Sequence, residues 1–255
     1  MPITAAQVND LRQRTGISMM ACKKALEEAG GDEEKAIDIL RKKGAAKAVE
    51  KADRATKEGI VMTKVKDDKA VIVKLSCETD FVAKNEEFVA IAKKAVETAL
   101  KSGVEAAKTE ADPVIKALFT KLGENMGIDV SVIEGEGVGE YIHTNSKVGT
   151  IVKLSSKDAV KARDVAMHIT AMNPVVVSPE DLPEDVVIKE REIWTEQLKN
   201  EGKPEEMIGR IMIGKEKKFR EESALIKQTF VKDGEKTVEQ YLEGNSVKSF
   251  VRMAI

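Results

Sequence analysis

Aromatic residues are scarce in this chain: one Trp, two Tyr and six Phe, 4% of 255 residues. So few rings cannot furnish one large aromatic core. With 34% charged residues, the composition points to a helical, water-exposed, modular protein. Cysteine is nearly absent. Cys22 and Cys77 show no metal-like spacing, which favours free thiols in a reducing compartment over a Cys22–Cys77 bridge. The two histidines, His143 and His168, have no third ligand at a suitable distance in sequence, so neither a metal site nor another cofactor is expected. An excess of one charge is missing too. The net charge of −2 leaves no global basic footprint, and no direct nucleic-acid partner is expected. No apolar run approaches membrane-spanning length. The opening MPITAAQ carries neither a signal peptide nor an Arg-rich transit segment. A soluble, cytoplasmic protein without membrane contact is the expectation. No Ser/His/Asp set and no phosphate loop is visible, which argues against bond-making chemistry.

What the chain does contain is a repeat. Ile72-Val73-Lys74-Leu75-Ser76 recurs unchanged as Ile151-Val152-Lys153-Leu154-Ser155. Each copy follows a turn signal, Lys66-Asp67-Asp68-Lys69 or Asn145-Ser146-Lys147, and each precedes a helix that opens alike, Val89-Ala90-Ile91 and Val165-Ala166-Met167. The strands are offset by 79 positions (151 − 72) and the helices by 76 (165 − 89). The first copy therefore carries three extra residues between strand and helix, where Thr79-Asp80-Phe81 stands. The second copy manages without them, and an insertion at such a junction sits where function usually sits. Phe81 is then either a core anchor or a ring held out for a partner.

Before the repeat, three short helices are expected. Thr4-Ala5-Ala6-Gln7 reads as a capping box ahead of Val8 and Leu11. Ser18 caps a second helix with the stripe Cys22, Ala25, Leu26, Ala29. Asp32 caps a third with Ala36, Ile37 and Leu40 inward and Gly44 at its end. Their order resembles a ubiquitin-associated-type bundle. The basic stretch 41–57 is read as a solvated helix or tether, because Glu50 and Asp53 dilute its field; an RNA-binding helix is the alternative. The hairpin 59–76 alternates as if one face were buried. A helix over 86–100, a polar loop over 101–111 and a helix opened by Asp112-Pro113 follow. A strand covers 128–133. Gly135, Gly137 and Gly139 imitate a dinucleotide motif, but the acidic neighbours Glu134, Glu136 and Glu140 would repel phosphate, and a hinge between the repeats is the preferred reading. Beyond Pro183, helices over 184–200 and 205–222 flank Gly202-Lys203-Pro204 and make an antiparallel hairpin that buries only its seam. Thr229-Phe230-Val231 returns to the core, a short helix starts near 235, and 247–255 is a last strand.

Three segments carry a resemblance. Thr79-Asp80-Phe81-Val82-Ala83-Lys84 resembles the signature loop of the translation elongation factor Ts family. Leu11-Arg12, Thr15-Gly16 and the run from Met19 to Leu26 resemble that family's first signature. Thr120-Lys121-Leu122-Gly123-Glu124-Asn125 resembles its lysine-apolar-Gly-Glu-Asn element. The resemblance implies a guanine-nucleotide exchange factor that acts on elongation factor Tu and makes no bonds itself. It implies that Arg12, Met19, Met20 and Lys23 face the partner's nucleotide domain, and that Thr79, Asp80, Phe81 and Val82 disturb its Mg²⁺ and phosphate sites. Leu122 and Gly123 would touch the partner beside that loop. His143, His168 and Val231 would contact it from the second repeat. The hairpin resembles the family's coiled-coil arm, which serves self-association in some members; a scaffold acting through this arm is the alternative function.

The sequence departs from the family pattern at Lys74, Ser76 and Lys232, and no C-terminal helix contact is expected from residues ending at Ile255. The expected architecture is α+β: a bundle and linker over 1–53, a core subdomain over 54–138, a second over 139–179 and 223–255, and an antiparallel coiled-coil arm over 180–222.

Overall fold

A computed structural model describes residues 3–51 and 53–255; residues 1, 2 and 52, and the side chains at 45, 46, 49 and 50, lie outside the description, so the part of the 41–57 reading that rests on Glu50 does too. Three helices open the chain: α1 (Ala5–Thr15), α2 (Met19–Glu28) and α3 (Glu33–Lys51). The capping box of Thr4 and Gln7 starts α1, and Gly16 stops it in a left-handed conformation (φ 70°) that a residue without Cβ adopts freely. Leu11, Cys22, Ala25, Leu26, Ala36 and Leu40 form the bundle's core.

Gly44 does not end α3. The helix runs on through it, and a Cβ there would stand 2.2 Å from Thr120 Oγ1. Glycine serves close packing at this point, not termination, so a sequence rule for helix ends misreads it.

The first sheet has β2 (Lys69–Cys77) between β1 (Glu58–Lys66) and β3 (Met126–Glu134), all antiparallel. Between β2 and β3 come α4 (Asp80–Ala83) and α5 (Glu86–Leu122). The expected polar loop over 101–111 is absent. Only Gly103 is non-helical (φ 83°); helix resumes at once and folds back, pairing Thr98 with Glu110 at 3.0 Å and Lys121 with Glu87 at 2.9 Å. Ala107, Ala111 and Leu118 join the core under the sheet, a helical stripe hidden among charged residues. Pro113 therefore lies inside a helix and does not open one.

The second sheet places β5 (Val148–Leu154) between β4 (Val138–Ile142) and β8 (Val247–Ala254). Helix α6 (Ala159–Met172) covers it. The arm is α7 (Glu184–Asn200) and α8 (Glu205–Ser223), with Val187, Leu198 and Ile208 buried and Trp194 edge-on to Phe219 at 5.4 Å. A small hairpin, β6 (Thr229–Phe230) and β7 (Asp233–Thr237), leads to α9 (Val238–Leu242). The helix expected from 235 thus starts three residues later, where Thr237 and Gln240 form a capping box.

The two sheets stack face to face. Val61, Ala70, Ile72 and Ile133 of the first meet Ile151 of the second, with Val251, Met253 and Ile255 packed beside them. The repeated pentapeptide plays the same part twice. Ile72 and Ile151 face the opposite sheet, while Val73 and Leu75, or Val152 and Leu154, face the sheet's own helix. The hairpin consequently buries both faces, not one as its alternation implies. The glycines at 135–139 are no hinge. Gly135 (φ 113°) and Gly137 (φ 79°) form the turn from β3 to β4, and a Cβ at Gly139 would lie 2.5 Å from that of Ala162. Glycine lets β4 lie directly on α6.

Candidate partner-binding surface

The inserted residues form a single helical turn at a strand-to-helix junction. Strand β2 ends at Cys77, and Asn85 caps α5, its Oδ1 accepting from the N–H groups of Glu87 (2.9 Å) and Phe88 (3.3 Å). Between them α4 points two ways. Val82 and Ala83 enter the core beside Val73 and Phe88, so the Val82 side chain is buried and does not lie on the surface as its expected partner contact would. Phe81 points out and is 82% exposed, a large departure for an aromatic side chain, which water disfavours. Asp80 pairs with Lys84 at 2.8 Å, and that hydrogen bond holds its carboxyl below the usual carboxylate range.

The turn is braced from behind. The Thr79 N–H and hydroxyl both donate to the Glu124 carboxylate, at 3.0 and 2.6 Å. The Asn125 N–H donates to Glu78 at 2.7 Å, and the Asn125 side-chain amide donates to the Arg54 carbonyl at 2.8 Å. The Cys77 thiol donates to the Thr79 carbonyl at 3.2 Å; burial first, then the nearby Glu124, pushes its pKa up to about 12. Such a thiol stays protonated and is no nucleophile near neutral pH.

Leu122 ends α5, partly exposed, and Gly123 closes it in a left-handed conformation (φ 75°). The Gly123 carbonyl accepts from Lys51 Nζ at 2.5 Å, and Lys51 also lies 5.7 Å from the Phe119 ring centre. These contacts tie α3, and the bundle with it, to the segment that braces Thr79. Ile17, Ala21 and Lys24 share a cleft of about 290 Å³ with Leu122 and Gly123. At the start of α2, Met19 and Met20 are 49% and 63% exposed; helical spacing sets Met20 opposite the buried stripe of Cys22, Ala25 and Leu26 and Met19 at its edge. Arg12 and Lys23 are exposed as well, Lys23 lying 3.8 Å from Glu27. The expected contacts of the bundle and first repeat are therefore joined to one another.

A family model described as Elongation factor TS matches residues 78–255. The chain belongs to the elongation factor Ts family. It is 46% identical over its whole length to elongation factor Ts of Teredinibacter turnerae, covering 91% of that protein. It is 47% identical to elongation factor Ts of a Nitratiruptor species over 95% of this chain and 87% of the relative. With that of Deinococcus deserti the identity is 43%, over 97% of this chain and 98% of the relative. The elongation factor Ts fold supplies what these residues need: a helix bundle, two antiparallel sheets with their helices, and a helical arm. Among the described residues no helix is long and apolar enough to cross a membrane.

The remaining residues implied by the elongation factor Ts resemblance sit on the second repeat. His143 is exposed in the turn from β4 to β5, where its N–H donates to the Val148 carbonyl at 3.0 Å. Val231 is 47% exposed at the tip of the β6–β7 hairpin. His168 is wholly buried, so its side chain does not lie on the surface as a contact would. Its Nδ1 accepts from the Val231 N–H at 3.2 Å, which leaves the proton on Nε2, 3.0 Å from Gln228 Oε1. Burial lowers its pKa. His168 holds Val231 in place from below.

The departures from the family pattern have local uses. Lys74 pairs with Asp129 at 2.8 Å on the neighbouring strand, and Lys232 pairs with Asp164 at 2.5 Å. Sequence pattern assigns no bracing role to Glu78, Glu124 or Lys51. Glu124 stands inside the Thr120–Asn125 element, so that element held the signal; no periodicity marks a carboxylate whose partner is 45 residues away.

Proposed function

We propose that this chain is a guanine-nucleotide exchange factor in translation elongation, promoting GDP release from elongation factor Tu. Membership in the elongation factor Ts family supports the class of activity. The observation that carries the mechanism is Phe81, an exposed ring on a turn whose other face is anchored in the core. A GTPase holds nucleotide through a phosphate-cradling loop and Mg²⁺. Phe81 wedges between partner helices next to that site, and Asp80 shifts the segment that positions Mg²⁺. With Mg²⁺ coordination weakened, the phosphates leave. Arg12, Met19, Met20 and Lys23 hold the nucleotide domain, methionine suiting an adaptable contact. Leu122 and Gly123 flank the wedge. His143 and Val231 hold a more distant part of the partner, which gives leverage.

No covalent step is required of this chain. It acts by differential binding, so coupling is reciprocal: if the factor weakens nucleotide binding, nucleotide weakens factor binding by the same ratio. Rising GTP then ejects the factor. The test is release of fluorescent GDP from elongation factor Tu during a chase with unlabelled nucleotide. Acceleration by the unmodified chain and its loss with Phe81→Ala are the expected results. Tight binding with unchanged release would refute exchange and favour a scaffold acting through the arm, where self-association would also be sought; Ile193 and Ile213 are exposed on its outer faces.

A further inference from the structure

We propose that Glu124 is a positioning residue for nucleotide exchange, setting the pose of Phe81 through Thr79. The inference rests on the exchange reading above. Helix α4 has four residues, and a single turn gains too few hydrogen bonds to stand alone. Something outside it must hold it. Its N-cap, Thr79, is held at both backbone N–H and hydroxyl by one carboxylate. The hydroxyl hydrogen goes to Glu124, and the same oxygen accepts weakly from the Val82 N–H at 3.5 Å. Bonds to an ionised acceptor are shorter and stronger than neutral ones, and 2.6 Å fits that class.

The brace is reciprocal. Glu124 reaches from the segment after α5 to the backbone of Thr79, and Glu78 reaches from the loop to the backbone of Asn125. Two crossing segments each lend the other a carboxylate. The segment that carries Glu124 is itself fixed, because Gly123 caps α5 and accepts from Lys51 of α3. Phe81, Leu122 and the bundle are thereby set relative to one another by polar contacts around Glu124. Val82 anchors the turn from the other side but, as an apolar contact, does not dictate its angle. Glu124 is thus the group whose removal frees the direction of Phe81 and leaves the core intact.

The experiment compares the full chain with Glu124→Ala and Glu124→Gln. It measures exchange on elongation factor Tu as a function of factor concentration, melting temperature, and amide hydrogen exchange of the free chain. Glu124→Ala is expected to lower the saturating exchange rate about tenfold, the size that losing charge-assisted bonds implies. The half-saturating concentration moves less, because Met19, Met20 and Leu122 still bind. Amides of residues 79–83 exchange faster in that variant, while those of β2 and of the first half of α5 do not. Glu124→Gln keeps one acceptor oxygen and recovers part of the rate. Faster amide exchange across the turn with an unchanged saturating rate overturns the positioning role and leaves the exchange reading standing. A lowered melting temperature with unchanged kinetics well below it overturns the role too. No acceleration of GDP release by the unmodified chain overturns the exchange reading and, with it, this role.

Discussion

Phe81→Ala separates a contact residue from a core residue. In the free chain Phe81 is 82% exposed, so little of its ring is protected by folding. A phenylalanine offers about 200 Å² for burial, of which about 160 Å² remains for a partner here. At about 25 cal/mol per Å² that area is worth about 4 kcal/mol on complex formation, whereas the part already covered is worth about 1 kcal/mol to the fold. A truncation of hot-spot size, about 2–4 kcal/mol, corresponds to a rate or affinity loss of about 30- to 1000-fold. The control is Phe88→Ala. Phe88 is fully buried among Val73, Ile91 and Ala92, and emptying such a site costs about 3–5 kcal/mol of stability. Both variants are followed by the fluorescent-GDP chase and by thermal melting. Phe81→Ala should lose exchange and keep its melting temperature within a few degrees of the unmodified chain, while Phe88→Ala should melt much earlier. A sharp fall in the stability of Phe81→Ala with exchange intact would falsify the wedge.

Three further outcomes are expected. Gly139→Ala places a Cβ 2.5 Å from that of Ala162, and overpacking of this kind costs about 1–3 kcal/mol; an unchanged denaturant midpoint would show that β4 does not press on α6. Burial lowers the His168 pKa, so the unfolded chain takes up that proton first. This contribution to stability is complete above about pH 6.5 and is lost as pH falls through the lowered folded value. Stability curves between about pH 7 and pH 5 should therefore be steeper for the unmodified chain than for His168→Gln, and parallel curves would refute the assignment. Replacing residues 180–222 by a short Gly/Ser linker should spare both sheets. The arm's two ends already lie together: the N–H groups of Val175 and Val176 donate to the Ser223 carbonyl at 2.9 and 3.3 Å, and the Ile226 N–H donates to Val177 at 3.1 Å. Loss of cooperative melting in that variant would show that the arm supports the core.

Much of this architecture is legible in local pattern. Capping boxes, apolar stripes and the Gly202-Lys203-Pro204 turn locate α1, α2, α7 and α8 because each depends on residues within a few positions of one another. The repeated pentapeptide identifies the two central strands, and the mismatch in spacing singles out the turn that carries Phe81. Local pattern misleads where a tertiary neighbour decides. Gly44 reads as a helix end, yet it is a point of close approach to Thr120. Gly139 reads as part of a hinge, yet it is where β4 meets α6. Charged residues around Ala107 and Ala111 read as a loop, yet those alanines are buried in the core of the first repeat, where the helix folds back on itself.

The exposure of Phe81 could not be chosen between two readings from the chain alone. Period-two and period-3.6 patterns report which side of an element is apolar, and a single turn is too short to have either. By itself the sequence determined most of the elements, the duplication and the family to which they belong, since these rest on short-range chemistry repeated along the chain. Only the tertiary structure decided that Ile72 and Ile151 meet between stacked sheets, that His168 lies beneath Val231, and that Glu124 reaches Thr79. Contacts between distant segments depend on where the folded elements leave their ends, and no local rule carries that information.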